Sequence, residues 1–144
     1  MSHFECSFDK PRLDIVAIHG FLTASYWSPG IPLETVKRAI ENSLCIGGYL
    51  DGAQVAFARM VTDRATFAYL ADVFVLPLHR GRGLSRQLME ALLAHQDLQG
   101  MRRMLLATRD AHGLYAKLGF TPLAAPDRFM ERHNPNAYRD ISAA

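Results

Sequence analysis

Residues Leu70–Ser85 read L-A-D-V-F-V-L-P-L-H-R-G-R-G-L-S, and the architecture follows from how that run is parsed. Val73, Phe74 and Val75 favour an extended strand, and Pro77 removes a backbone donor and so closes the sheet ladder. Gly81 and Gly83 let the main chain approach a ligand closely. A helix starting near Leu84 aims its unpaired N–H groups and the positive end of its dipole at the same point. The strand–loop–helix therefore reads as an anion site. Arg80 and Arg82 favour phosphate over carboxylate, and a diphosphate uses more of the donors than a single phosphate. A flexible, solvated turn ahead of a surface helix is the competing reading of these residues alone. The loop is not a P-loop, and G-R-G-L-S-R lacks the third glycine of the dinucleotide fingerprint.

The 144 residues carry a formal net charge of +2, with 49% apolar and 21% charged side chains. That composition is ordinary for one globular domain. A charge so small, without a long basic run, argues against a nucleic-acid partner. The longest apolar runs are too short to span a bilayer and no signal pattern opens the chain, which leads to the expectation of a cytoplasmic protein without a membrane partner. Cys6 and Cys45 lack metal-site spacing, so neither zinc nor a disulfide framework is expected.

Working outward, Leu13–Ile18 reads as a strand and Gly20–Tyr26 as a helix. The loop Tyr26-Trp27-Ser28-Pro29-Gly30-Ile31-Pro32 is semi-rigid and aromatic, with Trp27 either filling the core or facing a substrate. A helix runs from Pro32 to about Asn42 on the stripe Leu33, Val36, Ile40. Leu44–Leu50 and Gln54–Thr62 form a hairpin about Asp51-Gly52, and Thr66–Val75 continues the meander. Beyond the glycine loop, a helix on Leu84, Leu88 and Leu92 leads to a buried parallel strand at Met104–Ala107. Asp110 caps a short helix over Ala111–Lys117, ended by Gly119. Phe120 and Phe129–Arg132 read as further strands, and residues from about 134 as a poorly ordered tail.

Two motifs carry a family resemblance. Arg80-x-x-Gly83-x-Ser85 after a valine-ended strand resembles motif A of the Gcn5-related N-acetyltransferases (GNAT), with Ser85 in place of Gly or Ala. Leu114-Tyr115-Ala116-Lys117-Leu118-Gly119-Phe120 is similar to their motif B. The resemblance implies a single α/β domain over residues 1–144, with a mixed, mostly antiparallel sheet of about six or seven strands flanked by about four helices and splayed at the acyl-CoA site. It implies acetyl-CoA as cofactor, bound by Val73, Phe74, Val75, Arg80, Gly81, Arg82, Gly83, Leu84, Ser85 and Thr108, the last standing where many members keep an asparagine. It also implies that Tyr115 contacts the sulfur and protonates the leaving thiolate. A phenol, with reference pKa about 10, can donate a proton at neutral pH.

The acceptor side is less determined. Asp72 is an acid in an apolar strand, where it is either a structural group with donors or a base or anchor for a cationic amine. Strand alternation sets it with Leu70 and Phe74, opposite Tyr69, Val73 and Val75. Trp27 and Tyr69 are the candidate substrate contacts beside it. The expected reaction is direct transfer of acetyl from acetyl-CoA to a primary amine of a small molecule or peptide, no cysteine lying near the motifs to carry an acyl group. The alternative is a non-catalytic acyl-CoA-binding regulatory protein. A homodimer is open, as domains of this size in the family frequently pair.

Overall fold

In the computed structural model, which describes residues 3–139, one mixed sheet runs through the molecule in the order β1-β2-β3-β4-β5. Its strands are β1 (Phe4–Ser7), β2 (Leu44–Leu50), β3 (Ala53–Thr62), β4 (Phe67–Val75) and β5 (Arg103–Leu106). All neighbours are antiparallel except β4 and β5, which are parallel. The expected hairpin forms about Asp51 and Gly52, both at positive φ, the backbone that a two-residue turn matched to strand twist requires. The next turn is tied by Asp63, whose carboxylate accepts from Thr66 Oγ1 and from the N–H groups of Ala65, Thr66 and Phe67.

Helices α1 (Ile15–Thr23) and α2 (Leu33–Glu41) cover one face of the sheet; α3 (Leu84–Leu93) and α4 (His112–Ala116) belong to the other. On the α1/α2 side Ile18, Leu22, Val36 and Ile40 pack on Cys45, Phe57 and Phe74. On the α3 side Leu84, Leu88, Met89 and Leu92 pack on Ile46, Ala58, Met60, Ala68 and Leu70, with Tyr115 in the same cluster. Cys6 and Cys45 are both free thiols. No described helix is long and apolar enough to cross a membrane.

Several expectations are corrected. Among the described residues the sheet has five strands, not six or seven. Leu13–Ile18 is not a strand: Asp14 accepts from the Ala17 N–H and starts α1 there, so a capping carboxylate overrides the β-branched residues behind it. Phe4–Ser7 supplies the strand instead, pairing with Gly47–Leu50. Phe120 and 129–132 lie outside strands, in a stretch whose regular element is a 3-10 turn at Pro126–Arg128. Thr108, not Asp110, bonds the start of α4, its hydroxyl accepting from the Ala111 N–H. Of the tail, residues 140–144 lie outside the described residues; 137–139 are helical and Tyr138 packs against the α1/α2 core.

Candidate active site

Strand β4 outruns β5. Their last paired residues are Leu70 and Leu106, while β4 continues to Val75 against β3 alone. Five residues of β4, Ala71–Val75, therefore have a sheet neighbour on only one side. The opening is a cleft of about 830 Å³, bounded by this strand end, the Arg80–Ser85 loop, residues Leu106–Ala111, and the loop after α1.

A bulge sits at the middle of the strand end. Phe57 pairs with Phe74 and Arg59 with Ala71, so Asp72 and Val73 together oppose Ala58, with Asp72 at φ +56°. A bulge of this kind adds one residue and breaks the alternation of faces. The expected parity is corrected accordingly. Leu70 faces the α3 core and Phe74 the α1/α2 core, and Asp72 turns to the latter side.

There its two oxygens are both taken. Oδ1 accepts from the Trp27 indole Nε1 at 2.9 Å and Oδ2 from Arg59 Nε at 2.9 Å. Arg59 Nη1 also donates to Ser43 Oγ, which in turn donates to the Ala39 carbonyl. The carboxylate and guanidinium side chains are 11% and 17% exposed. The cation beside Asp72 is thus a residue of the chain. Arg59 escaped the sequence reading although a signal existed: it is the one charge inside the run Val55–Val61, one strand away from the one acid of β4.

The loop that carries Trp27 is built from its buried serines. Ser25 Oγ donates to the Leu22 carbonyl and accepts from the Ser28 N–H, and the Gly30 N–H closes back on Thr23. Tyr26 and Trp27 are left exposed at its tip, at 53% and 39%. They meet edge to face, Phe21 stacks on Phe74 at 4.1 Å, and the Arg109 guanidinium lies 3.8 Å from the centre of the Tyr26 ring. Tyr26 and Arg109 come from opposite walls, so the contact spans the cleft.

At the other end, Gly81 and Gly83 have φ +81° and +74°, with Gly83 as the N-cap of α3 and no side chain capping it. Only glycine adopts that backbone without strain, and the first N–H groups of α3 are left open to the cleft. Arg80 is turned inward, its Nε donating to the Val75 carbonyl at 3.0 Å, which fixes the loop to the strand end. Arg82 points to solvent and does not line the cleft; the other residues singled out from sequence, including Tyr69, Val73, Ser85, Thr108 and Tyr115, all do. Tyr115 is 8% exposed, and its hydroxyl bonds no described residue. Burial, and secondarily the neighbouring Tyr26, push its pKa above the ordinary phenol value. No described cluster of His, Cys, Asp and Glu could hold a metal ion.

Comparison with known proteins agrees with this geometry. Residues 41–122 match the acetyltransferase (GNAT) domain family. A protein of Gibberella zeae whose acetyltransferase activity is inferred is 32% identical over 134 residues, 77% of this chain and 75% of that one. A crystal structure from Xanthomonas campestris pv. campestris, assigned to the GNAT family, is 58% identical with a TM-score of 0.92, covering 94% of this chain and 96% of that one. A predicted acetyltransferase of Clostridium acetobutylicum with acetyl-CoA shares the fold at 15% identity and a TM-score of 0.65, over 92% and 96% of the two chains. With an open strand end, a glycine-capped helix start and a buried tyrosine on the facing wall, the chain belongs to the GNAT family of acetyltransferases.

Proposed function

We propose that this acetyltransferase moves acetyl from acetyl-CoA to the nitrogen of a primary amine in one direct step. The observation that carries the proposal is the cleft itself: one continuous opening joins the free N–H groups of α3, the one-sided end of β4 and the Tyr115 hydroxyl. The donor set fits the cofactor. Backbone N–H groups at a glycine-capped helix start suit a diphosphate, and Val73–Val75 offer peptide groups to an extended amide-containing arm.

Acetyl-CoA supplies a thioester, whose carbonyl carbon takes the amine and whose sulfur departs. The chain's own groups do the rest. Backbone N–H groups at the strand end stabilise negative charge on the carbonyl oxygen. Tyr115 Oη keeps its proton at neutral pH, as a phenol of reference pKa about 10 does and burial reinforces, and passes it to the departing sulfur. Asp72, held by Trp27 and Arg59, positions the indole, and proton removal from the amine falls to water in the open cleft. The test couples calorimetry with acetyl-CoA to thiol release in the presence of amines. Binding with amine-dependent release supports the reading. Binding without release from any amine favours a non-catalytic acyl-CoA-binding protein, and no binding refutes both.

A further inference from the structure

Away from the acetyl cleft, the β5 edge of the sheet is left unfinished. β4 bonds one side of β5, and along the other side no described residue gives or takes a backbone hydrogen bond. Met104, Leu105 and Leu106 form the unbroken apolar run of a parallel strand covered on both faces, yet none of them is fully buried. No proline or bulge blunts this edge, as a sheet margin left in water requires. Beside it lies a second cleft, of about 570 Å³, bounded by Arg102–Leu105 and by residues 118–125 with Arg128 and Phe129. The chain's own continuation does not fill it. Past Phe129 no described residue lines this cleft, and the chain is carried off to Tyr138 on the α1/α2 core. Phe129 has the extended φ and ψ of a strand, −97° and 137°, but the backbone groups of residues 130–133 bond no described residue, and Met130 is 97% exposed. Among the described residues, Arg102 and Arg128 have no acid partner and Glu131 has no basic one.

We propose that two copies of the chain pair through this edge, residues 129–133 of each lying as an added strand against β5 of the other. The groove and the strand that fits it are separate observations on one chain, and a second copy answers both. Backbone groups of β5 and of residues 130–133 satisfy one another. Met130 leaves water for the apolar wall, and Glu131 brings an acid to the arginines. The same patch is used on both copies, so the contact closes at two and does not grow into a fibre.

Sedimentation equilibrium of the full chain at micromolar concentrations is expected to give twice the mass of one chain. Hydrogen exchange is expected to slow in peptides over 103–106 and 129–133 as dilute protein is concentrated. Met130→Pro removes a ladder donor, and Phe129 already holds the extended backbone that precedes a proline, so the monomer keeps its fold by circular dichroism while pairing weakens. A loss of about tenfold per copy enters twice and raises the dissociation constant about a hundredfold. Met130→Leu, which keeps both the N–H and the apolar side chain, pairs as the parent does. Should Met130→Pro misfold, Met130→Asp reads the same loss through the side chain. A monomer at every concentration gives the edge to some other partner and overturns the proposal. So does a dimer whose exchange at 103–106 and 129–133 is not slowed, or one whose dissociation constant is the same in the parent, Met130→Pro and Met130→Asp.

Discussion

Removing the cation from the Arg59–Asp72 pair separates a positioning acid from one that grips substrate. Arg59→Met keeps the length and apolar bulk of the side chain and deletes its charge. Breaking a fully buried pair costs about 3–5 kcal/mol. At 11% and 17% exposure some water reaches this one, and Asp72 keeps the Trp27 indole. About 2–3 kcal/mol is therefore expected. At about 3 °C per kcal/mol for a domain of this size, Tm falls by about 6–9 °C. Asp72→Asn accepts the φ of +56°, which asparagine tolerates, and still accepts from Trp27, so it costs about 1–2 kcal/mol. Combined, the two changes cost less than their sum by about 1 kcal/mol or more. Urea unfolding of the four proteins measures the coupling, and steady-state kinetics at saturating acetyl-CoA follows the acceptor. Costs additive within about 0.5 kcal/mol refute the pairing argument. An Asp72→Asn protein with an unchanged unfolding midpoint and a raised acceptor KM refutes the positioning role, because the carboxylate would then touch the amine itself.

Tyr115→Phe is expected to lower kcat by about 10²- to 10⁴-fold with acetyl-CoA affinity nearly unchanged, measured under conditions where chemistry limits turnover; an unchanged kcat removes the proton-donor role. Because burial raises its pKa, the proton and the stability linked to it are fully present below about pH 10, the unfolded value, and are lost as pH rises through the higher folded value; a kcat profile that falls near neutrality by a group absent in Tyr115→Phe contradicts this. Gly83→Asp places a Cβ and a negative charge at φ +74° on the helix start; it is expected to cost about 1 kcal/mol of stability from backbone strain and at least about tenfold in acetyl-CoA affinity, read by urea unfolding and calorimetry. Thiol reagents at pH 8 are expected to modify Cys6 well before Cys45, whose pKa burial pushes up to about 11; the proton held by Cys45 favours the fold below about pH 9 and ceases to do so as pH rises through about 11, which Tm against pH for Cys45→Ala beside the parent checks.

What the sequence disclosed tracks how local the governing interaction is. The Asp51-Gly52 hairpin, α2, the glycine-capped start of α3 and the parallel β4–β5 unit each rest on residues close together in the chain, and all were readable. The start of α1 was misread because β-branched residues over Leu13–Ile18 suggest a strand until the Asp14 cap is weighed. β1 is four residues long, too short for any alternation to stand out. The Arg59–Asp72–Trp27 chain and the Tyr26–Arg109 contact join segments distant in sequence, through a bulge that no alternation rule anticipates. The glycine-loop end of the cleft was therefore legible, and the aromatic end only in its parts.

Seen as a count of steps along β4, Asp72 is a spacer. Ala71 faces the α1/α2 side and Val73 the α3 side, as they would if they were consecutive, and Phe74 and Val75 continue in step. A chain one residue shorter, lacking Asp72, would set Val73 opposite Ala58 and return every other side chain of the strand to the layer it already occupies. The sheet does not need the residue. Its φ of +56° is the cost of setting a carboxylate between Trp27 and Arg59, so a deletion here would keep the register of the sheet while leaving Arg59 without its counter-ion.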